Sequence, residues 1–218
     1  MFKSVNYGIK RLPFVFLLLA ALLSVPVLLV PSSSEVRAGS KAINWHDVIA
    51  KTSDKGDVES RLLRGIAYAN LGRLPESFKE FEIAGQEAYT DEIASFVLGK
   101  VGDLRRAPED LLLLNCVAFG SYAFGDFAAS TDNFEHIIRL DPKNVWARNF
   151  AAIAYGQVGE FDKALHHLQG ALAIDTKNQY THLLLSAVYK EKNQYLMAAY
   201  HYLQAPDAVK ELHSYGIL

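Results

Sequence analysis

The chain has one cysteine, two methionines, two tryptophans and seven prolines among 218 residues. A lone Cys116 forms no internal disulfide and cannot by itself hold a zinc ion, so stability must come from packing. Placed in the run LLLLNCVAF, it is expected in the core. An excess of one charge is lacking too: 22 Lys plus Arg stand against 24 Asp plus Glu, a net of −2, and no stretch has the basic clustering that a phosphate backbone requires. The charge pattern therefore does not point to nucleic acid. No His-Glu-x-x-His run and no phosphate-cradling glycine loop occur, and Gly120-Ser121 lacks the second glycine of a nucleophile elbow. What the chain has is apolar surface: half of its residues are hydrophobic and 11% are aromatic, which excludes disorder.

Residues 1–11 carry Lys3, Lys10 and Arg11 with no acid, and residues 12–30, LPFVFLLLAALLSVPVLLV, carry no charge at all. This is a membrane-targeting pattern. Positive charge before the apolar run stays in the cytoplasm and sends the rest across the membrane. Two readings stand side by side. Val36-Arg37-Ala38 before Gly39 offers a signal-peptidase pattern, which favours cleavage. Against it, 19 apolar positions are just enough for a hydrocarbon core of about 30 Å, which favours a retained anchor. No Cys lies near the end of the run, so a lipid-modified N-terminus is excluded. Beyond residue 38 the chain has 18 basic and 23 acidic residues, a net of −5.

A period of 34 residues organises the remainder. Rows one period apart are Ala118, Ala152 and Ser186; Ser121, Tyr155 and Tyr189; Gly125, Gly159 and Asn193; and Phe127, Phe161 and Tyr195. Three more are Ser130, Ala164 and Ala198; Phe134, Leu168 and Tyr202; and Ile137, Ala171 and Ala205. Spacing within each unit is helical, with Gly159 as the break in the middle one, so each unit is a helical hairpin. The small rows let two helices approach closely, and the aromatic rows fill the space beside that contact. Upstream, Gly65, Tyr68, Gly72, Ser77, Phe81 and Ala84 repeat the order out of phase, with Leu74 in the aromatic row. The separating stretch DEIASFVLGKV, 91–101, has apolar spacing for an extra helix before GDLRRAPED. Asn44 is placed to cap a short helix through Trp45 and Ile49, and Pro206 to start a last one carrying Val209 and Leu212.

These residues resemble the tetratricopeptide repeat family. YGQVGEFDKALHHLQGALAID, residues 155–175, is similar to its Tyr, Gly, aromatic, Ala, bulky, Ala pattern, and Asp141-Pro142 to its closing dipeptide. Ser121, Asn193 and Pro206 depart from that pattern and weaken single contacts. The resemblance implies an all-α, right-handed solenoid of helix hairpins, preceded here by the apolar signal or anchor helix. The expected division is 1–38, signal peptide or anchor; 39–57, linker and short helix; 58–91, a repeat; and 92–110, inserted helix and loop. Repeats at 111–144, 145–178 and 179–212 follow, with a capping helix over 206–218 that overlaps the last.

In this family the first helices of successive repeats line a concave groove that holds a peptide or helix. Carried over, the lining is Leu112, Asn115, Phe119 and Tyr122; Trp146, Asn149, Ile153 and Gln157; and Tyr180, Leu183 and Lys190. The amides of Asn115 and Asn149 suit the backbone of an extended peptide, and the rings suit its side chains. The same residues also suit plain packing between neighbouring helices. The family's clamp of Lys and Asn side chains for acidic C-terminal tails is absent, because its basic positions fall on apolar or amide residues.

The expectation is a non-enzymatic scaffold, without cofactor or metal, on the extracytoplasmic side of a bacterial membrane, binding another protein. Residues 12–30 would touch the membrane if uncleaved, and a second copy of the chain is an alternative partner. The rival class is an accessory domain of an envelope enzyme, or a metal-dependent enzyme using solenoid histidines. His167 and His201 stand 34 apart, with Asn133 one period earlier. That row is short of the ligands zinc takes, and His166 points about a quarter turn away. The row is expected to be solvated on the convex face. Lys100, Arg105 and Arg106 form the one local basic group, read as a solvated loop.

Overall fold

A computed structural model describes residues 43–87 and 90–216. Among the described residues are eleven α-helices and no strand. The segment read as a signal peptide or anchor lies outside them, and no helix within them is long and apolar enough to cross a membrane. A short α1 (Trp45–Thr52) leads into a hairpin of α2 (Val58–Asn70) and α3 (Leu74–Glu87). A single helix, α4 (Thr90–Leu104), follows. Three further hairpins pair α5 (Leu111–Ala123) with α6 (Phe127–Leu140), α7 (Val145–Gln157) with α8 (Phe161–Ile174), and α9 (Gln179–Glu191) with α10 (Tyr195–Leu203). The last helix is α11 (Pro206–Ser214), with Pro206 in its first turn. From α5 to α10 each helix packs on the next, as in a solenoid of tetratricopeptide type.

Local chemistry explains the repetition. A carboxylate or amide caps the first helix of every hairpin: Asp57 accepts from the Ser60 N–H, Asp110 from Leu113, Asn144 from Ala147 and Asn178 from Thr181, at 2.8–3.0 Å. The turn inside each hairpin is closed by a left-handed residue, Gly72, Gly125 or Gly159 at φ 75° to 78°. Beyond each, Arg73, Asp126 and Glu160 donate to the carbonyls of Tyr68, Ser121 and Tyr155, the Schellman bond that ends a helix. In the last hairpin Asn193 takes the same role at φ 58°, and Gln194 donates to Tyr189. Asn tolerates that conformation because its short side chain bonds locally, so the departure from glycine leaves the turn unchanged.

The small rows are buried except at half-buried Ser186: Ala118, Ser130, Ala152, Ala164, Ala171, Ala198 and Ala205 all lie between helices. Cys116 is also buried, and the same burial pushes its thiol up to about 12. At Gly120 a Cβ would collide with Val97, so α4 reaches α5 through a position without a side chain. The inserted helix therefore packs beside α2 and α5. Arg64, buried on α2, ties the early elements together: it grips Glu80 of α3 through two bonds of 2.9 and 3.0 Å and donates to the carbonyls of Thr52 and Lys55.

One consequence of the fold is not contained in the repeat pattern. The α2–α3 hairpin curls over the concave face, where Gly72 accepts the Trp146 indole so closely that a Cβ would overlap it. Leu212 of α11 packs with Phe78 of α3 and with Tyr180 and Leu183 of α9. The first hairpin and the last helix thus meet across the groove.

Candidate functional site

The concave face encloses a hollow of about 300 Å³. The helices α5, α7 and α9 form its floor, the α2–α3 hairpin one wall, and Tyr202 with Leu212 the other. An unbroken series of rings runs through it. Phe119 meets Phe81, Phe134 and Phe150 at centroid distances of 6.0, 5.4 and 4.8 Å, and Trp146 meets Phe150 at 6.1 Å and Tyr180 at 5.7 Å. Such tilted and edge-on pairs bring ring-face attraction in addition to buried area.

Eight of the eleven anticipated residues line this hollow: Phe119, Tyr122, Trp146, Asn149, Ile153, Tyr180, Leu183 and Lys190. Three do not. Leu112 lies half-buried on α5, and Gln157 borders a smaller neighbouring hollow of about 140 Å³. Asn115 is 1% exposed, with Nδ2 bonded to the Leu111 carbonyl at 2.7 Å and Oδ1 accepting from Asn70 at 3.0 Å. Its amide is spent between helices and is not offered to a peptide. Asn149 differs although it occupies the equivalent place: Oδ1 accepts from the Thr181 hydroxyl at 3.0 Å, while buried Nδ2 has no partner. It is a buried, unpartnered amide donor on a residue of the hollow's wall, a costly state that a carbonyl reaching it would relieve.

The expected lining omitted Phe78, Phe81, Phe134, Phe150, Leu184 and Leu212. Phe134 carried a signal, since it belongs to a periodic row. Phe78 and Leu212 carried none, because their approach depends on how far the solenoid curls. At the rim the Tyr180 hydroxyl donates to Glu211 at 2.6 Å, and burial ahead of that bond holds its phenol above the usual range. Lys190 at the mouth is exposed and pairs with no carboxylate among the described residues.

The histidine row is corrected by the structure. His167 and His201 are buried under the rings of Tyr155 and Tyr189, which stack on them at 5.4 Å each. His167 Nε2 donates to Glu135 at 2.9 Å, and the Tyr155 hydroxyl donates to the same oxygen at 3.0 Å. His201 Nδ1 lies 2.9 Å from His182 Nδ1. His182 Nε2 faces the Thr176 carbonyl, which only accepts, so that nitrogen carries a proton; with both rings neutral, His201 is the donor between them. Among the described residues no group of three or more His, Cys, Asp and Glu is placed to hold a metal ion. Of the basic group, Lys100 pairs with Glu59 at 2.8 Å and Arg106 with Asp103, both at the surface.

No family model matches the chain, and no curated protein does. Solved structures do. MamA 41-end from Desulfovibrio magneticus RS-1 matches with a TM-score of 0.52 at 16% identity, covering 77% of this chain and 86% of that one. A MamA RS-1 double mutant matches with a TM-score of 0.51 at 16% identity, covering 78% and 85%. These are helical-repeat proteins of the tetratricopeptide type, and the chain shares their fold.

Proposed function

We propose that the chain is a non-catalytic scaffold on the extracytoplasmic side of a bacterial membrane and that it holds another protein by apolar side chains inserted into the concave hollow. The observation carrying this reading is the aromatic hollow of about 300 Å³ with the unpartnered Asn149 Nδ2 in its wall. That volume is at the lower end for ligand sites and admits one or two bulky side chains. A whole helix, about 10–12 Å across, does not enter while Phe78 touches Leu212, so the partner presents an extended segment. Rings take its side chains, and Asn149 takes one carbonyl.

Export rests on Lys3, Lys10 and Arg11 before the uncharged residues 12–30. If that segment remains as an anchor, residues 31–42 keep the folded part within roughly 40 Å of the bilayer, at about 3.4 Å per extended residue. Protease added to intact spheroplasts should digest the solenoid, and complete protection would contradict export.

Crosslinking tests the site. A photoreactive residue replacing Trp146 or Tyr180 should give the same adduct, absent when it replaces Ile174, exposed outside the hollow, and Ile153→Glu should abolish it. Equal labelling from Ile174 would remove the hollow from the account.

A further inference from the structure

Helix α10, YLMAAYHYL, holds six of the eleven exposed large apolar side chains among the described residues. Its inner face is ordinary: Ala198 and His201 are buried against the solenoid. Its outer face is formed by Leu196, Ala199, Tyr200 and Leu203, with Leu196 89% and Leu203 75% exposed. One period earlier, on α8, the corresponding positions are Asp162, Leu165, His166 and Gln169; two periods earlier, on α6, they are Ala128, Thr131, Asp132 and Glu135. Both earlier helices carry polar or charged groups where α10 is apolar. The end of a solenoid is where a polar outer face is normally required, so this reversal needs a cover.

We propose that the cover is a second copy of the chain, with α10 of one copy lying antiparallel across α10 of the other. The order of residues supports this occupant. Leu196 and Ala199 are three apart, and so are Tyr200 and Leu203, so reversing the helix sets Leu196 against Leu203 of the second copy and Ala199 against its Tyr200. Bulky residues meet at both ends, and a small one receives a ring in the middle, which lets the axes approach to the usual 8–10 Å. A surface that complements itself under a two-fold rotation is what an isologous contact requires. Charge agrees: α10 has no Lys, Arg, Asp or Glu, and His201 faces inward, so two copies meet without repulsion. On α8 the same contact would bury Asp162 against Gln169 and His166 against Leu165, leaving a carboxylate with no countercharge in the seam. The seam is short, so the dimer belongs to the weak class, with a dissociation constant on the order of micromolar.

The test uses the full chain. Tagged protein with Leu196→Cys is mixed with untagged protein with Leu203→Cys and oxidised. Native Cys116 stays in place, being buried with a raised thiol pKa. A covalent mixed dimer should form at least tenfold more than either single species self-links. Absence of mixed product, as for a lipid surface or a different protein on this face, overturns the proposal; so does self-linking of Leu196→Cys alone, which would report parallel packing. Independently, Leu196→Lys and Leu203→Glu should each weaken self-association at least tenfold by sedimentation, and the chain carrying both should recover. Failure to recover overturns the antiparallel register. Circular dichroism of each variant establishes that the helices are intact.

Discussion

Gly72 and Gly159 adopt the same left-handed conformation, at φ 75°, yet a side chain would meet different surroundings at each. At Gly159 a Cβ points into open space, so alanine bears only the conformational penalty of about 1–2 kcal/mol. At Gly72 it would also overlap the Trp146 indole. Gly72→Ala is therefore expected to cost more in urea denaturation than Gly159→Ala and to shift tryptophan emission, which Gly159→Ala leaves unchanged. Glu135 supports a second prediction. The bond from His167, followed by that from Tyr155, holds its carboxyl below the usual range, against the opposing effect of burial. A depressed carboxylate contributes stability above its unfolded pKa and loses it as pH falls through the folded value. Glu135→Gln should cost about 1 kcal/mol at pH 7 and reduce the loss of melting temperature on acidification towards pH 3; parallel pH curves for the two proteins would refute this. Residue types were legible from the chain, but their commitments were not. Asn115 and Asn149 are indistinguishable by period, and each amide oxygen accepts from a neighbour; only the bond from Asn115 Nδ2 to the Leu111 carbonyl, without a counterpart at Asn149, decides which amide keeps a free donor.

Elements were the most legible level, because caps, left-handed turns and small rows all act within a few residues of themselves. A helix occupies Thr90–Leu104, over the stretch whose apolar spacing predicts one. The buried Ala164 row gives the clearest element test: Ala164→Phe should overpack the α7–α8 contact and cost about 1 to 3 kcal/mol, and an unchanged melting temperature would contradict its placement. The joint between α9 and α10 carries a pH dependence. Burial, and then the neighbouring His182, lower the pKa of His201. The unfolded chain then binds the proton more readily, so this joint stabilises at neutral pH and weakens as pH falls below about 6.5. Hydrogen exchange of α10 amides should accelerate between pH 7 and 5, after correction for intrinsic rates, and His201→Gln should remove that excess. The expectation of solvated histidines failed because the tyrosine row, on the facing helix, lays a ring over each imidazole.

At the scale of the molecule the chain gave least warning. A 34-residue template describes each unit and its neighbour, but the curl that brings α3 to α11 accumulates over all of them. Small rotations per unit are invisible in any one window, and the out-of-phase first hairpin obscured them further. Leu212→Ala tests the result. Loss of a buried leucine should cost about 2 kcal/mol, and removal of the contact with Phe78 should make Trp146 more accessible to a soluble quencher. Unaltered quenching would mean that the rim is held by other groups.

Stacked repeats ordinarily behave as a row of dominoes, each stabilised by its neighbours alone and frayed at both extremities. The touch between Phe78 and Leu212 gives this row a neighbour relation that skips its whole length. The first hairpin and the last helix then cease to be loose ends, and damage to one should be felt first at the other. Shortening the chain by α11 would consequently unsettle α3, more than a hundred positions upstream, before it disturbed the middle of the stack.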